Sequence, residues 1–525
     1  MTLSIIKVLV LTELRLRLRR LSTLLALLAV IAITWALIPD PAGGSTLSLM
    51  SIHRARVLYT SSALALGSGK MAAILFGLLG FYLVRGRVGE DLRSGAGSVI
   101  AATPIGDGLF LFGRWLGGVA YLLILVLALA ATVVLLHALR GQGPIEWLVY
   151  LQTYCTLLLP IVFFSVSCAL LCDSTPLLMG KVGDVAYFIL WAAQFPALDG
   201  FFARGHATLA PWMVFDFTGL TLSLLVLSVK LQVPLSQVSK GFTSFDPALA
   251  AVTLPSLLWT IEMTLLRVGS AVLAMVPWAA GVFLFHRFSP DLVKPSSARR
   301  WFLPLARING WLRPLSRLVQ PLFRLAAALP GLAGQVLADL ALTLAAAPLT
   351  IVLLIGSVLA TVMLDATRLP GCLALVVLCW GVAVSELSTR DFAAATHELT
   401  ETVPGGWSRR YLCQWLAASL LGWLCMGGIA LRWAAADPLR AVALLSGVLS
   451  LSALATLLGH LSRTGRAFLA LFLFGWYVAW NTQDVPMLDL VGFNGVADLR
   501  SVLTQGLLTV AAGLVAYFHG RRRAG

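Results

Sequence analysis

Two charged stretches in an otherwise apolar chain hold the residues best placed to do chemistry. The first, EDLRSGAGSVIAATPIGDGLFLFGRWLG from Glu90 to Gly117, carries Glu90, Asp91, Arg93 and Pro104. The second carries Arg390, Asp391 and Pro404. Asp91, Pro104, Gly106, Trp115 and Leu116 recur 300 positions on as Asp391, Pro404, Gly406, Trp415 and Leu416. Proline stops a helix and forces extended geometry on the residue before it. Each stretch therefore reads as a short charged helix that breaks before the next apolar run. Carboxylates and guanidinium groups on such a helix do ion pairing and docking: it can insert in a groove of a soluble partner and transmit a rigid-body push.

The sequence holds no signature of catalysis. There is no GxSxG elbow, no HExxH and no CxxC framework. Gly67-Ser68-Gly69-Lys70 approaches a phosphate-binding loop, but Met71 follows and the upstream glycine is missing. His397-Glu398-x-x-Glu401 is half a metalloprotease motif without its second histidine, and reads as a solvated helix face. Cys168 and Cys172 stand one helical turn apart, a spacing that could hold a metal, but they read as small apolar packing residues. No catalytic residue, metal site or cofactor is expected in this chain.

Lys70 lies inside an apolar run. A cation at bilayer depth costs roughly 2.5–3.5 kcal/mol on insertion scales, so Lys70 either faces a pathway or snorkels to a surface. Trp191 and Gln194 in one run, and Trp476 and Trp480 in its counterpart, form a comparable pattern. They either line a substrate path or anchor span ends at the interface.

The elements that must position these residues follow from composition. The chain has 525 residues, 59% hydrophobic and 12% charged, against about 25% charged in a soluble domain. It is an all-α polytopic membrane protein by this measure. A span takes about 20 apolar residues. Such runs lie near 22–38, 62–84, 109–136, 147–171, 184–203 and 268–286, and again near 345–364, 371–386, 411–431, 441–459, 465–480 and 502–518. They predict about twelve transmembrane helices in two pseudo-symmetric halves, 1–287 and 331–525, joined by a basic amphipathic linker, 288–330. No small-residue cleavage site follows the first run, so a removable signal peptide is not expected.

The net charge of +15 could suggest nucleic acid, but its placement argues for a membrane instead. With both termini cytoplasmic, most of the 38 Lys and Arg fall on the inner side, as the positive-inside rule requires. The basic clusters then meet anionic lipid. Residues 4–20 predict an amphipathic surface helix before the first half, with 336–346 as its counterpart and Glu13 matched by Asp339. The long outer segment 204–267 contains an apolar stretch, 221–232, too short for a span, which reads as a lid or re-entrant helix. Asp216-Phe-Thr-Gly219 and Gly492-Phe-Asn-Gly495 are similar turns in the two halves.

At this point the chain resembles a known family. Gly86-Arg-Val-Gly-Glu-Asp-Leu-Arg93, with IAATPI (100–105) and LFGRWLGG (111–118), is similar to the first inner loop of type-two ABC export permeases, closest to the branch named for multicopper-enzyme maturation. The resemblance implies a transmembrane subunit of the cytoplasmic membrane served by two copies of a separate soluble ATPase, which carry the ATP and Mg. It implies coupling helices near 87–105, with Glu90, Asp91 and Arg93 as contacts, and near 387–405, with Arg390 and Asp391. Lys181 and Arg463 would be minor contacts. The second copy departs from the pattern: Val403 replaces Thr103, Ala393 replaces Arg93, and Cys413 and Gln414 replace Gly113 and Arg114. The cargo implied is apolar or amphipathic, with an accessory membrane or periplasmic protein as a further partner. An ABC permease serving maturation of an extracytoplasmic metalloenzyme is an alternative. A different class, the ion-gradient-driven secondary transporter, would need paired acids deep in the spans.

Overall fold

The computed structural model describes residues 2–40, 47–195, 208–234, 237–238, 243–289, 310–402, 405–482 and 485–524. The chain divides into two compact units, residues 1–295 and 296–525.

The first unit begins with α1 (Thr2–Leu18), which bends into α2 (Leu21–Leu37). Next come α3 (Ser61–Val84), the short α4 (Arg87–Arg93) and α5 (Ala96–Ala101), then α6 (Asp107–Arg140), α7 (Trp147–Ser174) and α8 (Lys181–Ala192). α9 (Leu220–Leu231), α10 (Ile261–Leu273) and α11 (Val276–Phe283) complete its described α-helices. Close packing of α1 on α6 depends on small residues. A Cβ at Gly113 would lie 2.7 Å from Leu9, and one at Gly117 would lie 2.8 Å from Glu13. A larger residue at either position would push α1 away.

The second unit runs through α12 (Gln320–Ala328), α13 (Gly331–Ala346) and α14 (Leu349–Met363), the last two bent by 99°. α15 (Leu369–Val384) leads to the short α16 (Arg390–Ala393) and α17 (His397–Glu401). α18 (Gly406–Ala436), α19 (Pro438–Ser462), α20 (Arg466–Asn481) and α21 (Leu499–Ala524) follow. The Asp437 carboxylate accepts from the Arg440 amide at 3.1 Å and starts α19 directly after α18. Trp407 and Tyr411 of α18, Ala453 and Leu457 of α19, and Ala512 and Ala516 of α21 form one buried cluster.

Each predicted apolar run contains a helix, but among the described residues not every one of these helices is long enough by itself to cross a membrane. Among the described residues eight helices are long and apolar enough to cross a membrane, or ten if the two bent pairs each count as one. At 1.5 Å per residue, the 12 residues of α8 reach about 18 Å and the 16 residues of α20 about 24 Å. Both fall short of the ~30 Å hydrocarbon core. The chain is mostly helical rather than wholly so. β1 (Leu47–Ser48) pairs antiparallel with β4 (Thr243–Ser244), and β2 (Ser51–Ile52) with β3 (Ala55–Arg56). The stretch expected to be a lid or re-entrant helix is α9, buried from Leu220 to Ser228.

An arginine pins each of the two similar turns. Asp216 accepts from the Thr218 hydroxyl at 2.6 Å and from the Gly219 and Thr221 amides, both at 2.9 Å, which starts α9. Arg267 of α10 donates to the carbonyls of Asp216 and of Phe217, the latter at 2.9 Å. In the second unit Arg440 donates to the carbonyls of Gly492 at 2.5 Å and Phe493 at 2.9 Å. Arg267 also reaches α7, donating to Thr156 O at 2.9 Å and Leu157 O at 3.3 Å. Pro160 lies inside α7 and has no N–H for the Thr156 carbonyl four residues earlier. The Arg267 guanidinium supplies that donor.

Candidate functional site

In the first unit the backbone turns sharply after α3. Gly86 takes a left-handed φ of 94° that favours glycine, and its amide donates to Asp173 at 2.8 Å. Arg85 beside it is buried and pairs with Asp184 at 3.0 Å and Asp173 at 3.8 Å, tying the end of α3 to α7 and α8. Gly95, at φ 75°, separates α4 from α5.

Asp91 points inward and is only 4% exposed. It pairs with Arg114 of α6 and lies 3.8 Å from Arg87. Arg87 reaches Glu13 of α1 at 3.4 Å and Glu90 at 2.8 Å. Glu13 holds Arg17 at 2.7 Å, and Arg17 donates to Leu83 O at 3.0 Å and Val84 O at 2.9 Å. Those are the last carbonyls of α3, which have no partner within the helix. Two buried carboxylates and three arginines thus join α1, α3, α4 and α6.

The chain beyond α11 folds back onto this hairpin. Arg287 donates to Thr103 O at 3.1 Å and Ile105 O at 3.3 Å, and pairs with Asp107 at 3.1 Å. Phe288 packs with Val88, Phe110 and Leu111, and a Cβ at Gly97 would lie 2.6 Å from its ring. The Phe288 amide donates to Nδ1 of His286 at 3.0 Å, and burial pushes that imidazole's pKa down.

The second unit builds the same clamp from a different arginine. Arg410 of α18 binds Asp339 of α13 at 2.7 and 3.2 Å and Asp391 at 2.6 and 3.0 Å. Gln414, at the position aligned with Arg114, places its amide 2.6 Å from His460 Nε2. With its nitrogen toward that imidazole, its oxygen accepts from Arg410. Positions 410 and 414 share one helix face, so the guanidinium has moved one turn earlier while still spanning the carboxylates. The backbone repeats as well. Ala395 has φ 54° where Gly95 has 75°, and the Ala394 amide donates to Arg390 O as Ser94 does to Glu90 O. A left-handed conformation costs a Cβ residue roughly 1–2 kcal/mol. Ala395→Gly is therefore expected to raise stability by about 1 kcal/mol, read as an increase in the thermal midpoint of the whole chain.

Burial divides the sequence-predicted residues by role. Arg93 and Pro104 are exposed, and the half-buried Glu90 bonds Arg20 of the α1–α2 bend at 2.8 Å. Asp91 is turned away from any partner surface. Arg390 is half-buried with Nη1 3.4 Å from Asp339 O, and Asp391 is half-buried in the clamp. Pro404 lies outside the described residues. The most prominent apolar side chains on the hairpins are Val99, 69% exposed, and Leu399, 70% exposed, in the same register 300 positions apart. Sequence reasoning missed both, and missed Arg410, Arg87 and Arg287. The charge at 410, one turn before the aligned Gln414, was the available signal.

The substrate-path candidates fall in both units. Lys70 is completely buried in α3 and reaches no surface, so it does not snorkel. Gly67 to Gly69 beside it are helical and buried, which is not the geometry of a phosphate loop. Trp191 is fully buried, with its indole against Gly77, and Gln194 is half-buried. In the second unit Trp476 Nε1 donates to Ala374 O at 2.9 Å and its ring stacks on Trp480, which is 42% exposed. Comparison of the chain with protein-family models, curated proteins and solved structures yields no match.

Proposed function

We propose that this chain is the permease subunit of an ATP-driven exporter of the cytoplasmic membrane, with both termini cytoplasmic, moving an apolar or amphipathic substrate. Two copies of a soluble ATPase, carrying the ATP and Mg, dock on the α4–α5 and α16–α17 hairpins. The observation that carries this reading is the shared build of the two hairpins. Each has a left-handed break between two short helices, an aspartate clamped by arginine, and an exposed apolar residue in the same register.

Such a build suits force transmission. A push on α4 passes through Asp91 and Arg114 to α6, and through Arg87 and Glu13 to α1. A push on α16 passes through Asp391, Arg410 and Asp339 to α18 and α13. Closure of the two ATPases on ATP would then move the long helices of each unit. An ion-driven carrier uses acids that bind and release ions near mid-membrane. The acids here lie on the short hairpin helices and on α1 and α13 beside them and are held by guanidinium groups, which favours the clamp.

Val99 and Leu399 would be the apolar contacts on the partner, and Glu90, Arg93 and Arg390 the charged rim. Placing a carboxylate in an apolar contact costs enough to lower affinity by about tenfold or more. Val99→Asp with Leu399→Asp, in the full chain co-expressed with a soluble ATPase bearing GxxxxGK[ST], is expected to abolish copurification and stimulated ATP hydrolysis while membrane insertion is unchanged. Unaltered copurification and hydrolysis in that double variant would sink the docking assignment.

A further inference from the structure

We propose that a proton on His460 loosens the second clamp, with the Gln414 amide carrying the signal, so that acid weakens the hold on the α16–α17 hairpin. The switch is a property of the clamp alone, whatever docks on the hairpin.

An amide has one oxygen and one NH2 group, and Gln414 stands between two groups that compete for them. On one side His460 Nε2 lies 2.6 Å from the amide. On the other, with the nitrogen toward His460, the amide oxygen accepts from Arg410 Nε at 3.1 Å and Nη2 at 3.2 Å. A guanidinium only donates, so the oxygen belongs on the arginine side and the NH2 group on the imidazole. That order needs a bare Nε2, with the ring proton on Nδ1. An imidazolium carries a proton on both nitrogens. Its Nε2–H then meets a donor at 2.6 Å, and the amide must turn its oxygen to the ring. The NH2 group now faces the guanidinium, and its nearest acceptor in that orientation is Asp391 Oδ2 at 3.5 Å. Asp391 is one of the two carboxylates that Arg410 holds. Amide and guanidinium therefore compete for it, and the clamp loses a bond.

His460 is 3% exposed, in the last turn of α19. Rings cover it: Trp407 and Tyr411 of α18 at 4.9 and 6.3 Å between centroids, and Phe392 of α16 at 6.1 Å. The other titratable and charged groups stand around those rings. His397 of α17 packs on Phe392 at 5.0 Å, and the Arg463 guanidinium lies 5.6 Å from the same ring. His519 of α21 packs on Trp407 at 5.3 Å. Beyond the end of α19, a Cβ at Gly465 would lie 3.4 Å from Glu386. The Nε2 edge of His460 meets Arg410 and Asp391 through Gln414.

The test is the thermal midpoint of the full chain in neutral detergent at pH 8 and pH 6. A free imidazole takes its proton near pH 6.5, so the unfolded chain gains that proton between these values. The folded chain takes it only at the clamp's expense, so stability falls as pH falls. Wild type should lose about 2–4 °C more than His460→Gln, the worth of about one hydrogen bond. Burial of the ring alone would give that sign, so Gln414→Glu tests the amide. A carboxylate accepts from guanidinium and imidazolium together. Acid should therefore raise the midpoint of Gln414→Glu relative to the same chain carrying His460→Gln. Hydrogen exchange reads the clamp directly. The Ala394 and Thr396 amides, which donate to Arg390 O and Asp391 O, should lose about fivefold in protection at pH 6 in wild type and keep it in His460→Gln. Equal acid losses of midpoint and protection in wild type and His460→Gln overturn the proposal. So does a Gln414→Glu chain that responds to acid as wild type does.

Discussion

Arg410→Gln should destabilise the second unit by roughly 2–3 kcal/mol, a value reduced for the partial exposure of the arginine from the cost of breaking a fully buried pair. One guanidinium binds both oxygens of Asp339 and both of Asp391. Without it two carboxylates face each other in a half-dry site, and their repulsion loosens α16 from α13. Arg114→Gln should cost less, because Arg87 stays near Asp91 and Arg17 stays on Glu13. The two variants, compared by thermal unfolding of the whole chain, should rank in that order. Adding Asp391→Asn to Arg410→Gln should return more than half of the loss by removing one of the stranded charges. Equal midpoints for wild type and Arg410→Gln would show that the arginine holds nothing.

Arg267→Met should be the most damaging change at the other end of the first unit, costing roughly 2–4 kcal/mol. The methionine fills similar space but leaves the carbonyls of Phe217 and Thr156 without their donor, while Asp216 O keeps only the Gly219 amide at 3.2 Å. The Thr156 carbonyl gives the diagnostic. Pro160→Ala restores an N–H four residues on, so it should recover roughly 1 kcal/mol in the Arg267→Met background and do much less in the wild type. The readout is the coupling between the two changes in thermal midpoint. Strict additivity would mean that Arg267 does not compensate the proline.

Much of this architecture was legible in the sequence because its signals are local. Apolar runs mark helices wherever the hydrophobic residues are contiguous, and each run does hold one. Their ends were not legible to the same degree: α20 has the 16 residues of the run that announced it, 465–480, whereas α8 ends at Ala192, inside the run near 184–203. The repeat of Asp91 as Asp391 marked two equivalent hairpins, and the match of Glu13 with Asp339 marked the helices beneath them. Strict alignment, however, set Gln414 against Arg114 and hid Arg410, since side chains one turn apart on a helix reach the same partners. Asp91 looked like a surface charge because sequence carries no burial. Arg287 could not be placed at all. Its bonds to Thr103 and Ile105 join residues far apart in the chain through two left-handed residues, Arg287 and Phe288, that no local pattern announces.

The return of the chain onto the first hairpin also fixes where this protein can be divided. The last described helix of the first unit ends at Phe283, and a cut there looks natural from the helix boundaries alone. It would remove His286, Arg287 and Phe288, and with them a wall of the aromatic cluster and the partner of Asp107. Two separately translated polypeptides that reassemble should therefore be split beyond Ser289. The first fragment then keeps the foundation of its own hairpin.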